Sequence, residues 1–339
     1  MNKLLFKNFY QTIAIFLPFS IIAGPAIADI SIVILGLFYI LICIKDKDFK
    51  ELTNTFSLVF FIFCIFLIVV SFLSQNPLLS LESSLFYFRF GLFALSINYL
   101  LNNNLNFSKY FFYSIILCFI LLSLDSIFEL IYNNNLISIF TKNYIKSYGR
   151  VSSLFYDEYV LGSYFIRLLP IACALSIVLI KNKFQNIVLV LIICVSSLII
   201  FISGERTALA MLIIFLLSVF LIFNNLRKLF FVSFLIIFFT SLIAILVSSQ
   251  LKERVFNDTA NQINLDFKTF EINLFSIQHQ VIYQTSYKII KDNFLVGIGP
   301  KMFREICKNE KYKTYTELDK SIDGCQTHSH NNYIQVLTE

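Results

Sequence analysis

The chain is written in apolar runs, and that patterning constrains its fold more than any other feature. A helix of about 20 apolar residues crosses a bilayer core about 30 Å thick. By that ruler the sequence holds nine runs, at roughly 9–25, 28–44, 55–74, 84–101, 110–132, 159–180, 185–203, 207–223 and 229–248. Of 339 residues, 58% are hydrophobic, 14% are charged and 40 are Phe, and mean hydropathy is +0.76. A soluble domain is about 45–50% apolar and about 25% charged, so a water-soluble globule and intrinsic disorder are both excluded. Helices satisfy their own backbone groups in lipid. The expected class is an all-α polytopic membrane protein with nine complete transmembrane helices over 1–248. The first two form a hairpin broken at Gly24-Pro25, because Pro ends a helix and Gly relaxes the turn. The start carries no small-residue cleavage site and reads as a retained first span.

The cations set the orientation. One set of loops holds Lys3, Lys7, Lys45, Lys47, Lys50, Lys109, Lys181, Lys183, Arg227 and Lys228. The opposite set, at 24–29, 75–83 and 204–206, holds only Arg206. Cation-rich loops face the cytoplasm. The N-terminus is therefore expected inside, and 133–158 and a long loop, 249–330, outside. The net charge of +6 belongs to these loops and points to membrane lipids as partners, with no nucleic acid. The long loop carries 11 Lys/Arg and 10 Asp/Glu and reads as a solvated, folded segment. Residues 331–339 read as the start of a tenth span, cut short at Glu339.

Five of the seven cysteines lie in spans, where Cys behaves as a small apolar residue. Cys307 and Cys325 lie in the external loop. In an oxidising compartment they form a disulfide or stand as two thiols; a bridge contributes about 3 kcal/mol in the chain-entropy view.

Charges in or beside spans are functional candidates. Arg89, Arg150, Arg167 and Arg206 all fall near the outer leaflet, as do Glu82, Asp125, Glu129, Asp157, Glu158 and Glu205. Asp125 and Glu129 share a helix face, and the plain expectation pairs them with Arg167. The alternative is a cationic pocket for a phosphate or pyrophosphate, which Arg binds bidentately. Arg206 favours that alternative, because a lone cation in this short external turn opposes the topology. His279, His328 and His330 are external and suit general acid–base work; a metal site and solvated loop histidines are the other readings. A helix over roughly 280–292 is amphipathic and able to lie on the membrane surface. A phosphate cradle on Gly297-x-Gly299 is a weak motif, with no third Gly and no preceding strand.

Ser203-Gly204-Glu205-Arg206-Thr207-Ala208-Leu209-Ala210, Asp292-Asn293-Phe294-Leu295-Val296-Gly297-Ile298-Gly299 with Phe303, and His328-Ser329-His330-Asn331-Asn332-Tyr333-Ile334-Gln335 together resemble the O-antigen ligase and O-antigen polymerase superfamily. Gly149 to Gly162 is similar to its loop before a span. The resemblance covers about 145–339. It implies a GT-C-like inner-membrane glycosyltransferase, multi-pass, with 249–330 in the periplasm. It implies transfer of a glycan from a polyprenyl pyrophosphate carrier to lipid A-core (a ligase) or to another carrier-linked repeat (a polymerase), by a metal-independent inverting reaction without a cofactor. On that reading His330 is the base with His328 in reserve, and Arg206 the first pyrophosphate ligand, helped by His279, Arg150 and Arg89. Many members carry Arg where this chain has His279; a histidine there binds pyrophosphate only as imidazolium. The family also continues through about two further spans, so the chain reads as a fragment. The rival from another class is a lipid-linked glycan flippase or other transporter, whose binding charges belong near the bilayer midplane. Arg206 and His330 are expected to meet over one cavity.

Overall fold

The computed structural model describes residues 3–104, 106–142, 150–181, 184–247, 252–253, 277–315 and 323–339. Gly149, Lys183 and, of the loop expected over 249–330, residues 249–251, 254–276 and 316–322 lie outside the described residues. Among the described residues the fold is all-helical, with one isolated β-bridge, Tyr315 to Asp323. The helices are α1 (Lys3–Ile15), α2 (Leu17–Ala23), α3 (Pro25–Asp46), α4 (Thr55–Leu73), α5 (Pro77–Ser84), α6 (Phe88–Asn103), α7 (Phe107–Tyr132), α8 (Leu136–Thr141), α9 (Leu161–Leu179), α10 (Gln185–Ile202), α11 (Arg206–Ile222), α12 (Arg227–Val247), α13 (Ile277–Asp292), α14 (Phe303–Ile306) and α15 (Asn332–Thr338).

Among the described residues, seven segments are long and apolar enough to cross a membrane: α3, α4, the stretch Pro77–Asn103, α7, α9, α10 and Asn224–Leu246. They read as a multi-pass membrane protein. The other two expected spans take different forms. α11 has 17 residues, and the first run divides into α1 and α2, with Pro18 in the first turn of α2. The break at Gly24-Pro25 is where the sequence puts it: α2 ends at Ala23, Gly24 takes φ 126°, and Pro25 opens α3.

The chain divides into two compact units, each discontinuous in sequence. The first comprises Met1–Ser31 and Ile97–Asp258. Here α9 packs against α7, α10 and α11, and α10 against α12. Leu122, Leu161, Phe165, Leu169, Ile193 and Ile200 form its core. Phe119 stacks on Phe165 at 4.4 Å, and the Tyr164 hydroxyl donates to the Pro18 carbonyl at 3.1 Å.

The second unit comprises Ile32–Ser96 and Thr259–Glu339. Its core joins Ile282 and Ile289 of α13 to Ile298, Met302, Phe303 and Tyr312. This corrects the surface-helix expectation: the apolar stripe of α13 is spent on the unit's own core, with Ile289 fully buried. Lys301 Nζ bonds Glu82 at 2.8 Å and ties the loop after α13 to α5. Cys307 and Cys325 are bonded to each other, which anchors the segment leading to the histidines.

Candidate functional site

In the second unit the loop 327–330 brings the histidines together. His330 stands 4.1 Å from His328 and 5.8 Å from His279, centroid to centroid. Tyr283, one helical turn beyond His279, lies 6.0 Å from it. His328 Nδ1 shares a hydrogen bond with Thr327 Oγ1 at 2.9 Å. His330 has φ 54°, a left-handed backbone that a non-Gly residue adopts only when its surroundings hold it there. The holding is local. Asn331 caps α15, its Oδ1 accepting from the Tyr333 and Ile334 amides at 3.0 and 3.2 Å. Ser329, fully buried, donates to the Asn331 carbonyl at 3.2 Å. The Asn of the His-Asn pattern is thus a helix cap that sets the histidine at the entrance of α15.

Partial desolvation, and then the like charges of His328 and His279, hold the His330 imidazole below its ordinary value of 6.5. The ring is therefore neutral near pH 7, the form a general base requires. Among the described residues, no group of three or more His, Cys, Asp or Glu is arranged to hold a metal ion.

The Gly297-x-Gly299 turn, a weak motif for a phosphate cradle, has another use. Gly297 and Gly299 do take positive φ, 73° and 96°, as a tight turn demands. Their amides, however, are committed to protein carbonyls. Gly297 donates to Asn293 at 2.9 Å, Ile298 to Thr338 at 3.0 Å and Gly299 to Glu339 at 2.8 Å. The turn docks α15, and these three amides are not left to face a phosphate. Beside it opens a cavity of about 540 Å³, lined mainly by apolar side chains such as Phe63, Phe66, Tyr87 and Phe294, with Ser83, Ser84, Asn332, Gln335 and Glu339 as polar members. Arg89, in the first turn of α6, is also in this unit, its guanidinium 4.9 Å from the Phe90 ring centroid.

Arg206 and Arg150 belong to the first unit. Arg206 is the first residue of α11, after a turn in which Gly204 takes φ 68°. Its charge adds to the positive end of that helix. Arg150 lies 4.5 Å from the Tyr159 ring centroid and donates to the Tyr159 carbonyl at 3.3 Å.

The expected pairing of Arg167 with Asp125 and Glu129 does not form. Arg167 is exposed, while both carboxyl groups are buried and take backbone and hydroxyl donors. Glu129 accepts from the Ser152 and Ser153 amides at 3.1 and 2.6 Å. Asp125 accepts from the Leu136 amide at 3.0 Å and Ser153 Oγ at 2.9 Å. Uncompensated N–H groups in the loop before α9 outcompete a guanidinium that can reach solvent or headgroups. Glu205 has the same habit, and sequence reasoning gave it no role. The one available signal was an acid beside the lone cation of the 204–206 turn.

No curated protein and no solved structure matches the chain. Arg206, His279, His328 and His330 all fall within 187–339; Arg89 and Arg150 precede it. Residues 187–339 match the family model described as O-antigen ligase, the superfamily that the Arg206 turn and the His330 pattern resemble.

Proposed function

We propose that the protein transfers a glycan from a polyprenyl pyrophosphate carrier to an acceptor hydroxyl, of lipid A-core or a similar glycan, at the periplasmic face of the bacterial inner membrane, as an O-antigen ligase does. One observation carries this reading. The segment that matches the O-antigen ligase family contains both the arginine-bearing turn and the loop that gathers the histidines.

The acceptor hydroxyl attacks the anomeric carbon and gives its proton to His330; the carrier pyrophosphate leaves with the bond electrons. A single displacement inverts the anomeric centre. The donor carries its own leaving group, so the step calls on no cofactor. Charge develops on the pyrophosphate, and a preorganised guanidinium at Arg206 stabilises it by a few kcal/mol. His279, Arg150 and Arg89 assist at the pyrophosphate, and His328 is the base in reserve. The 540 Å³ cavity of the second unit is of a size that holds part of an amphipathic ligand, and its apolar walls suit the carrier's isoprenoid.

The test is made in cells whose only copy is the full-length protein. Arg206→Ala and His330→Ala should each abolish glycan attachment at unchanged membrane levels. Normal attachment in His330→Ala cells would remove it as the base.

A further inference from the structure

Arg206 follows a turn that is fastened to another helix by the residue just before it. Glu205 is 8% exposed. Its Oε1 accepts from the Gly162 amide at 2.6 Å, and its Oε2 accepts from the Ser163 amide at 3.2 Å and Ser163 Oγ at 2.6 Å. Gly162 and Ser163 sit in the first turn of α9, where amides have no intrahelical partner and the helix dipole is positive. A carboxyl from 43 residues away supplies what a local cap usually supplies.

The docking is close. A Cβ placed on Gly162 would stand 2.5 Å from Ser203 Oγ, 3.0 Å from Ala208 Cβ and 3.1 Å from Glu205 Oε1. Ser203, Glu205 and Ala208 bracket Arg206, so α9 touches its turn on both sides. The Ser203 hydroxyl also accepts from the Glu205 amide at 3.3 Å while donating to the Ile200 carbonyl at 2.7 Å. These constraints fall on the residues that flank Arg206. The same device recurs near Arg150, where Glu129 grips Ser152 and Ser153.

We propose that Glu205, seated on Gly162 and Ser163, is a positioning residue that fixes where the Arg206 guanidinium stands before pyrophosphate arrives. A long arginine contributes most when its origin is already fixed, because positioning errors of about 1 Å cost as much as about a hundredfold in rate. The inference rests on the reading of Arg206 as a pyrophosphate ligand.

The experiment measures transfer by the full-length protein in proteoliposomes, with inorganic pyrophosphate as competitive probe. Glu205→Ala should raise the pyrophosphate inhibition constant tenfold or more, an order of magnitude set by lost orientation, and lower kcat/KM for the donor while KM for the acceptor holds. Glu205→Gln keeps one acceptor oxygen and should fall between Glu205→Ala and the native protein. Gly162→Ala, which pushes the turn away without touching its charge, should reproduce the Glu205→Ala shift. If Glu205→Ala fails to accumulate, Glu205→Gln and Gly162→Ala decide. A fall in kcat alone, with the inhibition constant unchanged in these variants, would overturn the proposal, since a purely structural role reduces the active fraction and nothing else. Arg206→Ala separates the two levels. Native transfer in Arg206→Ala removes the underlying reading, whereas an inactive Arg206→Ala beside unaffected Glu205 and Gly162 variants removes only the positioning role.

Discussion

His330 enters α15 with a left-handed backbone, two imidazole neighbours and a capping Asn331 behind it. Each circumstance has a measurable consequence. Since the folded protein holds the His330 pKa below 6.5, the neutral base persists to lower pH. The acid limb of kcat/KM is therefore expected below pH 6.5. His328→Gln removes a neighbouring charge and should move that limb upward, which a pH–rate profile reads. The base itself should be worth about 10²–10⁴-fold in rate. Asn331→Ala deletes the cap and should cost about 1 kcal/mol of local stability, with Asn331→Asp or Asn331→Ser keeping most of it; amide exchange at Tyr333 and Ile334 is the measurement. The residue types and their order were readable without coordinates. The cap was not assigned, because the His-Asn pattern was read for its chemistry and not for the helix it begins.

At the scale of elements, local rules worked where the cause was local. Gly24-Pro25 ends α2 and starts α3, and Gly297-x-Gly299 makes a turn, because φ preferences act over a few residues. They failed where partners come from afar. Nothing near Asp125, Glu129 or Glu205 in sequence announces amides at 136, 152–153 and 162–163, so pairing by charge alone misplaced Arg167. The stripe of α13 was legible but its partner was not, since Met302 and Phe303 return to it only after the glycine turn. Two elements invite perturbation. Reducing the Cys307–Cys325 bridge should cost about 3 kcal/mol and lower transfer, since the bridge ends three residues before His328; thermal unfolding with and without reductant measures the first. Gly297→Ala meets both a φ of 73° and a Cβ 2.6 Å from the Glu339 carbonyl oxygen. It should destabilise the second unit by about 2 kcal/mol or more, seen as faster proteolysis of that unit.

The whole molecule was the most legible level, because the bilayer imposes one length on every crossing helix. Among the described residues, seven segments meet that length with apolar composition, at positions the apolar runs had marked. Reporter fusions at Lys50 and Arg227 should be active on the cytoplasmic side, and fusions within 277–330 on the periplasmic side; the reverse pattern would reject the charge-based orientation. The central claim is that this membrane protein makes a glycosidic bond with a carrier-linked donor. The most direct measurement reconstitutes the full-length protein in liposomes with a labelled polyprenyl-pyrophosphate glycan and an acceptor, then separates the products. The account predicts label moved onto the acceptor with release of carrier pyrophosphate, and neither with Arg206→Ala or His330→Ala. Intact donor that has only changed leaflet would contradict it.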